Sequence, residues 1–398
     1  MSSLMPLQQA LEKAQGELQI KVAQETINLS QALNRVLAKD VIAPLDVPPA
    51  ANSAMDGYAI NTADFEQSKQ PLLKVSQRIT AGDPTEPLKP GTCARIFTGA
   101  ELPLGANAVV MQEDTQLEEE AVRFLATPSH GENVRPAGQD IQQGSTILRR
   151  GKRLSPVDLG VIASVGITTV EVYQPLKVGI LTTGDELVTP GQPLKAGQIY
   201  NSNGPLLEAL IQTAGHQVSL HKHAEDSIES TEQALLELSQ VADVIISTGG
   251  VSVGDEDHVK ATIEKHGQLH LWKIAIKPGK PLVFAKVMET PFIGLPGNPS
   301  STLVTFHLFA RLTLAKAAGE HLCFPTGYSV QCGFSRKANQ SRDEFLRVTL
   351  HEGVAKPHPQ QSSGALLAAS QSDGYLHVPA GQAPTPGSEL LFYPFSGF

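Results

Sequence analysis

Val244-Ile245-Ile246-Ser247-Thr248-Gly249-Gly250-Val251-Ser252-Val253-Gly254-Asp255-Glu256-Asp257-His258 combines an apolar run, a glycine pair and an acidic helix start in one short stretch. Val244, Ile245 and Ile246 read as a buried strand, and Gly249-Gly250 removes two Cβ atoms where the backbone must turn and approach a ligand closely. From Asp255 to His266 the spacing of Val259 and Ile263 predicts an amphipathic helix, with Gly267 just past its end. Helix starts favour anions, yet Asp255, Glu256 and Asp257 would repel a bound phosphate unless a cation lay between them. The stretch is therefore either an ordinary strand-turn-helix or the floor of a phosphate site that also holds a metal ion.

The same grammar extends upstream. Lys177 to Thr183 reads as a strand, Gly204 to Ala214 as a helix, Gln217 to Leu220 as a strand, Ile228 to Leu238 as a helix and Asp243 to Thr248 as a strand. Such alternation predicts a doubly wound parallel sheet with right-handed crossovers, whose ligands sit at the carboxyl ends of the strands. Polar clusters fall at those ends: Thr182-Thr183-Gly184-Asp185-Glu186, Glu225-Asp226, and the turn from Ser247 to Gly254. Downstream, Trp272 to Pro281 reads as an alternating strand in which Lys273 and Lys277 share a face, and a Pro-Gly turn swings Lys280 towards the same crevice. Leu295-Pro296-Gly297-Asn298-Pro299 ends a strand and starts a helix running to about Ala318, with Asn298 as N-cap and Pro299 in the first position.

The flanking regions differ in texture. Residues 6–39 carry two helical patterns, Pro6 to Leu18 and Ser30 to Ala38, and residues 151–175 carry a helix (Pro156 to Ser164) and a strand (Thr169 to Val172). Between them lie an Asp-Gly turn in Asn52-Ser53-Ala54-Met55-Asp56-Gly57-Tyr58 and short β-rich runs broken by Gly and Pro. Among those runs, Thr98-Gly99-Ala100 and Val134 to Asp140 are polar turns. Residues 323–398 return to short strands, with Arg342, Arg347 and Ser362-Ser363-Gly364 available to an anion. The expected division is a discontinuous helical domain (1–51 and 151–176), a β-rich domain (52–150), an α/β domain (177–322) and a C-terminal β domain (323–398).

Bulk properties exclude several classes of function. At 398 residues the chain is too long for one core, and 41% apolar with 18% charged residues is the composition of a folded protein. A formal charge of −9 and 5% aromatics argue against nucleic-acid and membrane-surface binding. Cys93, Cys323 and Cys332 lack metal-site spacing and suit reduced thiols in the cytoplasm; neither an export signal nor an 18-residue apolar run is present. His221 and His223 share a strand face, but no third ligand stands nearby in sequence to complete a metal site. Neither a P-loop nor a Gly-x-Ser-x-Gly elbow is present, which disfavours ATP hydrolysis of the usual P-loop kind.

Five ordered segments carry a resemblance: Asn52 to Tyr58, Thr183-Gly184-Asp185-Glu186-Leu187, Gly249-Gly250-Val251-Ser252-Val253-Gly254, Lys277-Pro278-Gly279-Lys280-Pro281 and Leu295 to Pro299. From about residue 5 to the C-terminus the chain resembles the molybdopterin molybdenumtransferases. The resemblance implies a multi-domain α/β plus β fold, with a central doubly wound parallel-sheet domain of molybdopterin-binding type. It further implies insertion of molybdate into the dithiolene of adenylylated molybdopterin, with Mg²⁺ as cofactor and release of AMP. Matched by motif, the family's functional positions fall on Asp56, Thr98, Asp140, Glu186, Asp226, Asp257, Lys273, Lys277, Pro296, Pro299, Arg342 and Ser363. Glu186, Asp226 and Asp257 would hold Mg²⁺, whereas Lys277, Lys280, Arg342 and Ser363 would hold molybdate. The segment Thr183-Gly184-Asp185 and the turn through Gly249, Gly250, Val251, Ser252 and Gly254 would contact the pterin nucleotide. A homodimer is implied, with the adenylyltransferase that supplies the substrate and apo-molybdoenzymes that receive the product as further partners. The chain departs from the family where Ala50-Ala51 replace an aromatic and an acidic residue, and where Glu225-Asp226 replace paired aspartates.

Two rival readings are a molybdopterin adenylyltransferase, which would use only the 177–322 type of domain, and a non-catalytic molybdopterin-binding or scaffold protein. The additional length weighs against the first, and the lack of a long Pro/Ser-rich linker weighs against the scaffold.

Overall fold

The computed structural model describes residues 4–66, 68–251 and 258–398. Its central sheet is built from β1 (Lys177–Thr183), β2 (Gln217–Ala224), β3 (Val244–Thr248), β4 (Gly267–Lys273), β5 (Pro281–Val287) and β6 (Thr290–Leu295), in the order β2-β1-β3-β6-β5-β4. β2, β1, β3 and β6 are parallel, and β5 and β4 add an antiparallel edge. Alternate side chains feed two cores. Val244 and Ile246 pack with Leu207 and Ile211 of helix α1 (Asn203–Thr213), while Ile245 packs with Leu235 and Leu238 of helix α2 (Ile228–Val241). Helices cover both faces, so the strands read as continuous apolar runs with no alternation.

Gly267 does not end the preceding helix, His258–His266, in a left-handed turn; it opens β4. A Cβ there would stand 1.8 Å from the Lys286 carbonyl oxygen, so pairing with β5 requires glycine at this position. The helix expected over Ser30 to Ala38 is also absent. Leu29–Gln31 form a 3₁₀ turn, Asn34 takes φ 62°, and Val36–Leu37 become a strand beside Thr169–Tyr173. Left-handed backbone at Asn34 interrupts any helix, and cross-strand pairing outweighs the local apolar pattern. The N-terminal helix, Leu7–Gly16, buries Ala10, Leu11 and Ala14 in the same core as Phe309 and Leu312.

Two further six-stranded sheets lie outside the central domain. Gly57–Ile60, Leu72–Ile79, Thr92–Ile96, Ala108–Met111, Thr115–Glu118 and Ala121–Phe124 form one six-stranded sheet. In the C-terminal region, Asp343–His351, Val354–Pro357, Tyr328–Cys332, Glu389–Pro394 and Gly374–Val378 pair in a closed ring, since the first strand also bonds the last. Ile276–Lys277 leaves the central domain and adds to that ring, parallel to Asp343 and Glu344. Lys273 and Lys277 therefore lie on two different strands, contrary to the single alternating strand expected.

No helix among the described residues is long and apolar enough to cross a membrane.

Candidate functional site

A cleft of ≈ 840 Å³ opens where the carboxyl ends of β1, β3 and β6 face the C-terminal ring. Its floor is backbone. Gly249 and Gly250 follow β3 at φ 89° and 63°, where a Cβ on the first would meet Thr183 Oγ1 at 2.8 Å and one on the second would meet Val259 Cγ2 at 2.5 Å. Glycine is required here for conformation and for space together. Beside them, Asn203 donates through Nδ2 to Thr248 Oγ1 (2.9 Å) and to the Gly297 carbonyl (2.6 Å). The residue is 9% exposed, and its buried Oδ1 has no hydrogen-bond partner among the described residues.

One wall is acidic. Glu186 and Asp226 both line the cleft, and Asp185 accepts the Asp226 N–H at 2.9 Å, which braces that loop. Asp185, expected to contact the pterin nucleotide, is not among the lining residues. Among the described residues no three His, Cys, Asp or Glu side chains gather into a metal-holding group. Two carboxylates on one wall nonetheless form the oxygen-rich donor set that suits a hard cation. The expected third ligand, Asp257, and the expected phosphate contacts Ser252 and Gly254 lie outside the described residues.

The opposite wall is basic. Lys277, Lys280, Arg342 and Ser363 line the cleft, and so do Pro296 and Pro299. Lys277 Nζ lies 2.8 Å from Glu344 Oε1, and Arg336 donates to the other oxygen of the same carboxylate. Burial pushes Glu344 up, but the bonds from Arg336 and Lys277 outweigh it and hold the carboxyl down at about 2. Beneath the Ser362-Ser363 turn, Arg347 is 1% exposed and donates through Nη2 to the carbonyls of Gln360 (3.2 Å) and Ser362 (3.0 Å). The turn is further clipped by Gln361, which exchanges bonds with the Arg347 backbone, and by the Ser363 carbonyl accepting from Ser300 N. Lys273, expected on this wall, ends β4 and is not among the lining residues.

Asp56, Thr98 and Asp140 do not line this cleft. They belong to the β-rich region, where Thr98 donates both N–H and Oγ1–H to Asp56 Oδ1 at 2.8 Å. The Thr98 backbone bond, then its side-chain bond, hold the exposed Asp56 carboxyl below its ordinary value. Asp140 sits on an exposed turn whose N–H bonds the Val47 carbonyl at 2.9 Å. His221 bonds Glu208 at 2.9 Å and faces Thr182 together with His223, and no metal group forms there among the described residues. The cleft residues not expected from sequence include Ile199, Tyr200, Asn201, Ser202, Asn203 and Gln361. Asn201-Ser202-Asn203, polar residues directly before a helix at a strand end, were the available signal for the first group. Nothing local marks Gln361.

Three family models match in chain order: "MoeA N-terminal region (domain I and II)" over residues 5–166, "Probable molybdopterin binding domain" over 179–316, and "MoeA C-terminal region (domain IV)" over 329–395. A molybdopterin molybdenumtransferase of Haemophilus influenzae is 42% identical over 319 residues, covering 80% of this chain and 78% of the relative. One from a Nostoc species is 36% identical over 372 residues, covering 90% and 85%. Among solved structures, a molybdopterin biosynthesis MoeA protein of Pyrococcus horikoshii superposes with TM-score 0.85 at 27% identity, covering 99% of this chain and 100% of that one.

Proposed function

We infer the reaction from membership: this chain belongs to the molybdopterin molybdenumtransferase family and inserts molybdenum into molybdopterin. The substrate is adenylylated molybdopterin, molybdate is the metal donor, and AMP is released. The observation that carries this reading is that one cleft is lined together by the carboxylates of Glu186 and Asp226, the cations of Lys277, Lys280 and Arg342, and the glycines Gly249 and Gly250. Adenylylated molybdopterin has a pyrophosphate, which needs close backbone approach and a cation; molybdate is an oxyanion, which needs cationic and hydroxyl donors.

Glu186 and Asp226, with Asp257, would hold Mg²⁺ at the pyrophosphate, where the ion neutralises charge and favours cleavage of the phosphoanhydride. Gly249 and Gly250 let the backbone approach the pterin phosphate. Lys277, Lys280, Arg342 and Ser363 would take molybdate, on a turn held in place by Arg347. Asp56, Thr98 and Asp140 would reach the cleft of a second copy, so that a two-fold homodimer carries two shared sites.

Incubation with adenylylated molybdopterin, molybdate and Mg²⁺ tests the reading. AMP should appear, and its appearance should depend on both Mg²⁺ and molybdate. AMP formation that ignores molybdate would reduce the protein to a hydrolase of the nucleotide.

A further inference from the structure

A second cavity, of ≈ 220 Å³, lies at the far end of the two helical segments whose starts line the cleft. Helix α1 starts at Asn203 on the cleft and brings Thr213 to this cavity, with Ala214 and His216 just beyond. The segment that starts at Pro299 on the cleft passes through five π-helical residues, Phe306–Ala310, and continues into Arg311. Short π insertions are rare and recur at functional sites, because they interrupt the i→i−4 ladder and redirect side chains. Here the insertion supplies Phe306 and His307 to the cavity wall.

The charges on the lining are specific. Arg153 gives Nε and Nη2 to the Glu320 carboxylate at 2.9 and 2.6 Å, a bidentate pair that is neutral in itself. Arg311 makes no ion pair within 4 Å among the described residues; its Nη1 donates to the Gly397 carbonyl at 3.1 Å, and its guanidinium lies 5.7 Å from the Phe398 ring centre. His216 is 6% exposed, and its buried Nδ1 has no hydrogen-bond partner among the described residues. His307 stacks on Phe398 at 4.5 Å and reaches the Tyr375 hydroxyl through Nδ1 at 3.2 Å. Burial, with a nearby arginine adding to it, brings both imidazoles down to about 3, so they are neutral near pH 7. Among the described residues Arg311 thus has no carboxylate in contact, although Glu320 attracts it from farther off, and the same cavity is lined by His216 and by the apolar side chains of Phe306, Leu210 and Leu322.

We propose that this cavity is a second ligand site, separate from the cleft, for a small organic monoanion whose carboxylate lies towards Arg311 and His216 and whose flat apolar body lies against Phe306 and Leu322. A neutral ligand would leave the half-buried guanidinium with no carboxylate in direct contact, and a dianion would bring a second charge for which the lining offers no further cation in contact. The volume admits a single ring with its carboxylate.

Benzoate and its neutral isostere benzamide are the probes, titrated into the full chain by calorimetry with and without molybdate. The expected result is saturable benzoate binding, one per chain, that molybdate does not displace and that is at least about tenfold tighter than benzamide binding. Arg311→Met should abolish it, His216→Leu should weaken it by roughly tenfold, and Lys277→Ala should leave it unchanged. Circular dichroism checks that each variant folds, and His216→Leu decides the question if Arg311→Met does not. No saturable binding, equal affinity for benzamide, displacement by molybdate, or an unchanged affinity in His216→Leu would overturn the proposal. None of these measurements involves molybdopterin, so their outcome is independent of the transferase reading.

Discussion

Lys277 Nζ and Glu344 Oε1 are 2.8 Å apart, and this contact joins the central domain to the C-terminal ring at the basic wall of the cleft. The carboxylate is 3% exposed and is shared with Arg336, so three charges form one cluster with a net charge of a single cation.

Glu344→Gln should therefore destabilise the chain in a pH-dependent way. The folded-state pKa, about 2, lies below the ordinary carboxylate value, so the cluster stabilises above the unfolded pKa and loses that contribution as pH falls towards 2. A shift of that size corresponds to about 3 kcal/mol at neutral pH. Urea midpoints of wild type and variant should differ clearly at pH 7 and converge near pH 2; a difference that persists at pH 2 would mean that the cluster's charge is not its source.

Removing the partner acts on the ligand. Lys277→Ala takes a cation from the cleft and leaves Glu344 with Arg336 alone, so the KM for molybdate should rise by about tenfold with little change for the nucleotide. Glu344→Gln should shift it the other way, to a lower molybdate KM. Equal rises for both substrates in Lys277→Ala would place that lysine on the pyrophosphate.

Gly249→Ala should cost both stability and turnover. Gly82 has nearly the same φ, 90° against 89°, but open space around its Cβ position, so Gly82→Ala measures backbone strain alone. Strain is worth about 1–3 kcal/mol, and Gly249→Ala adds contact with Thr183 Oγ1 and O at 2.8 and 3.0 Å. Thermal midpoints should fall in both variants and further in Gly249→Ala, and only Gly249→Ala should lose activity.

Thr98→Val removes one of the two bonds to Asp56 and keeps the backbone bond. The Asp56 carboxyl should titrate closer to its ordinary value, visible in carboxyl ¹³C shifts, because the hydroxyl bond is one cause of its depression. Asp56 stays ionised at pH 7 in both forms. Any loss of turnover at pH 7 therefore reports its position and not its charge, and the pH profile above pH 5 should keep its shape.

Asp56→Asn and Asp226→Asn, each inactive alone, test the shared site when unfolded and refolded together. Random pairing makes about half the dimers mixed, each with one unmutated cleft, so activity should return to about a quarter of wild type. Zero activity in demonstrated heterodimers would mean that each site is built within one chain.

Much of the central domain was legible because its strands are buried on both faces. Lys177–Thr183 has the bounds that pattern predicts, and outside the central domain so does the helix Pro156–Ser164, where Ser155 completes a capping box with Asp158. Ser30 to Ala38 failed for the opposite reason. Its apolar residues have helical spacing, but a left-handed Asn34 and a partner strand more than 130 residues away decide its state. Likewise Lys273 and Lys277 look like neighbours on one strand until Ile276–Lys277 pairs with the C-terminal ring.

By itself the sequence determined the chemistry available: glycines after β3, carboxylates after β1 and β2, lysines before β5, each placed by strand ends that local periodicity reveals. Tertiary structure decided which of those groups meet. It set Lys277 against Glu344, put the buried Arg347 beneath the Ser362-Ser363 turn, bonded Asn203 to Thr248 and Gly297, and kept Asp56 and Thr98 out of the cleft. The physical reason is range: hydrophobic period and turn preference act over a few residues, whereas each of these contacts depends on pairing and burial between segments far apart in the chain.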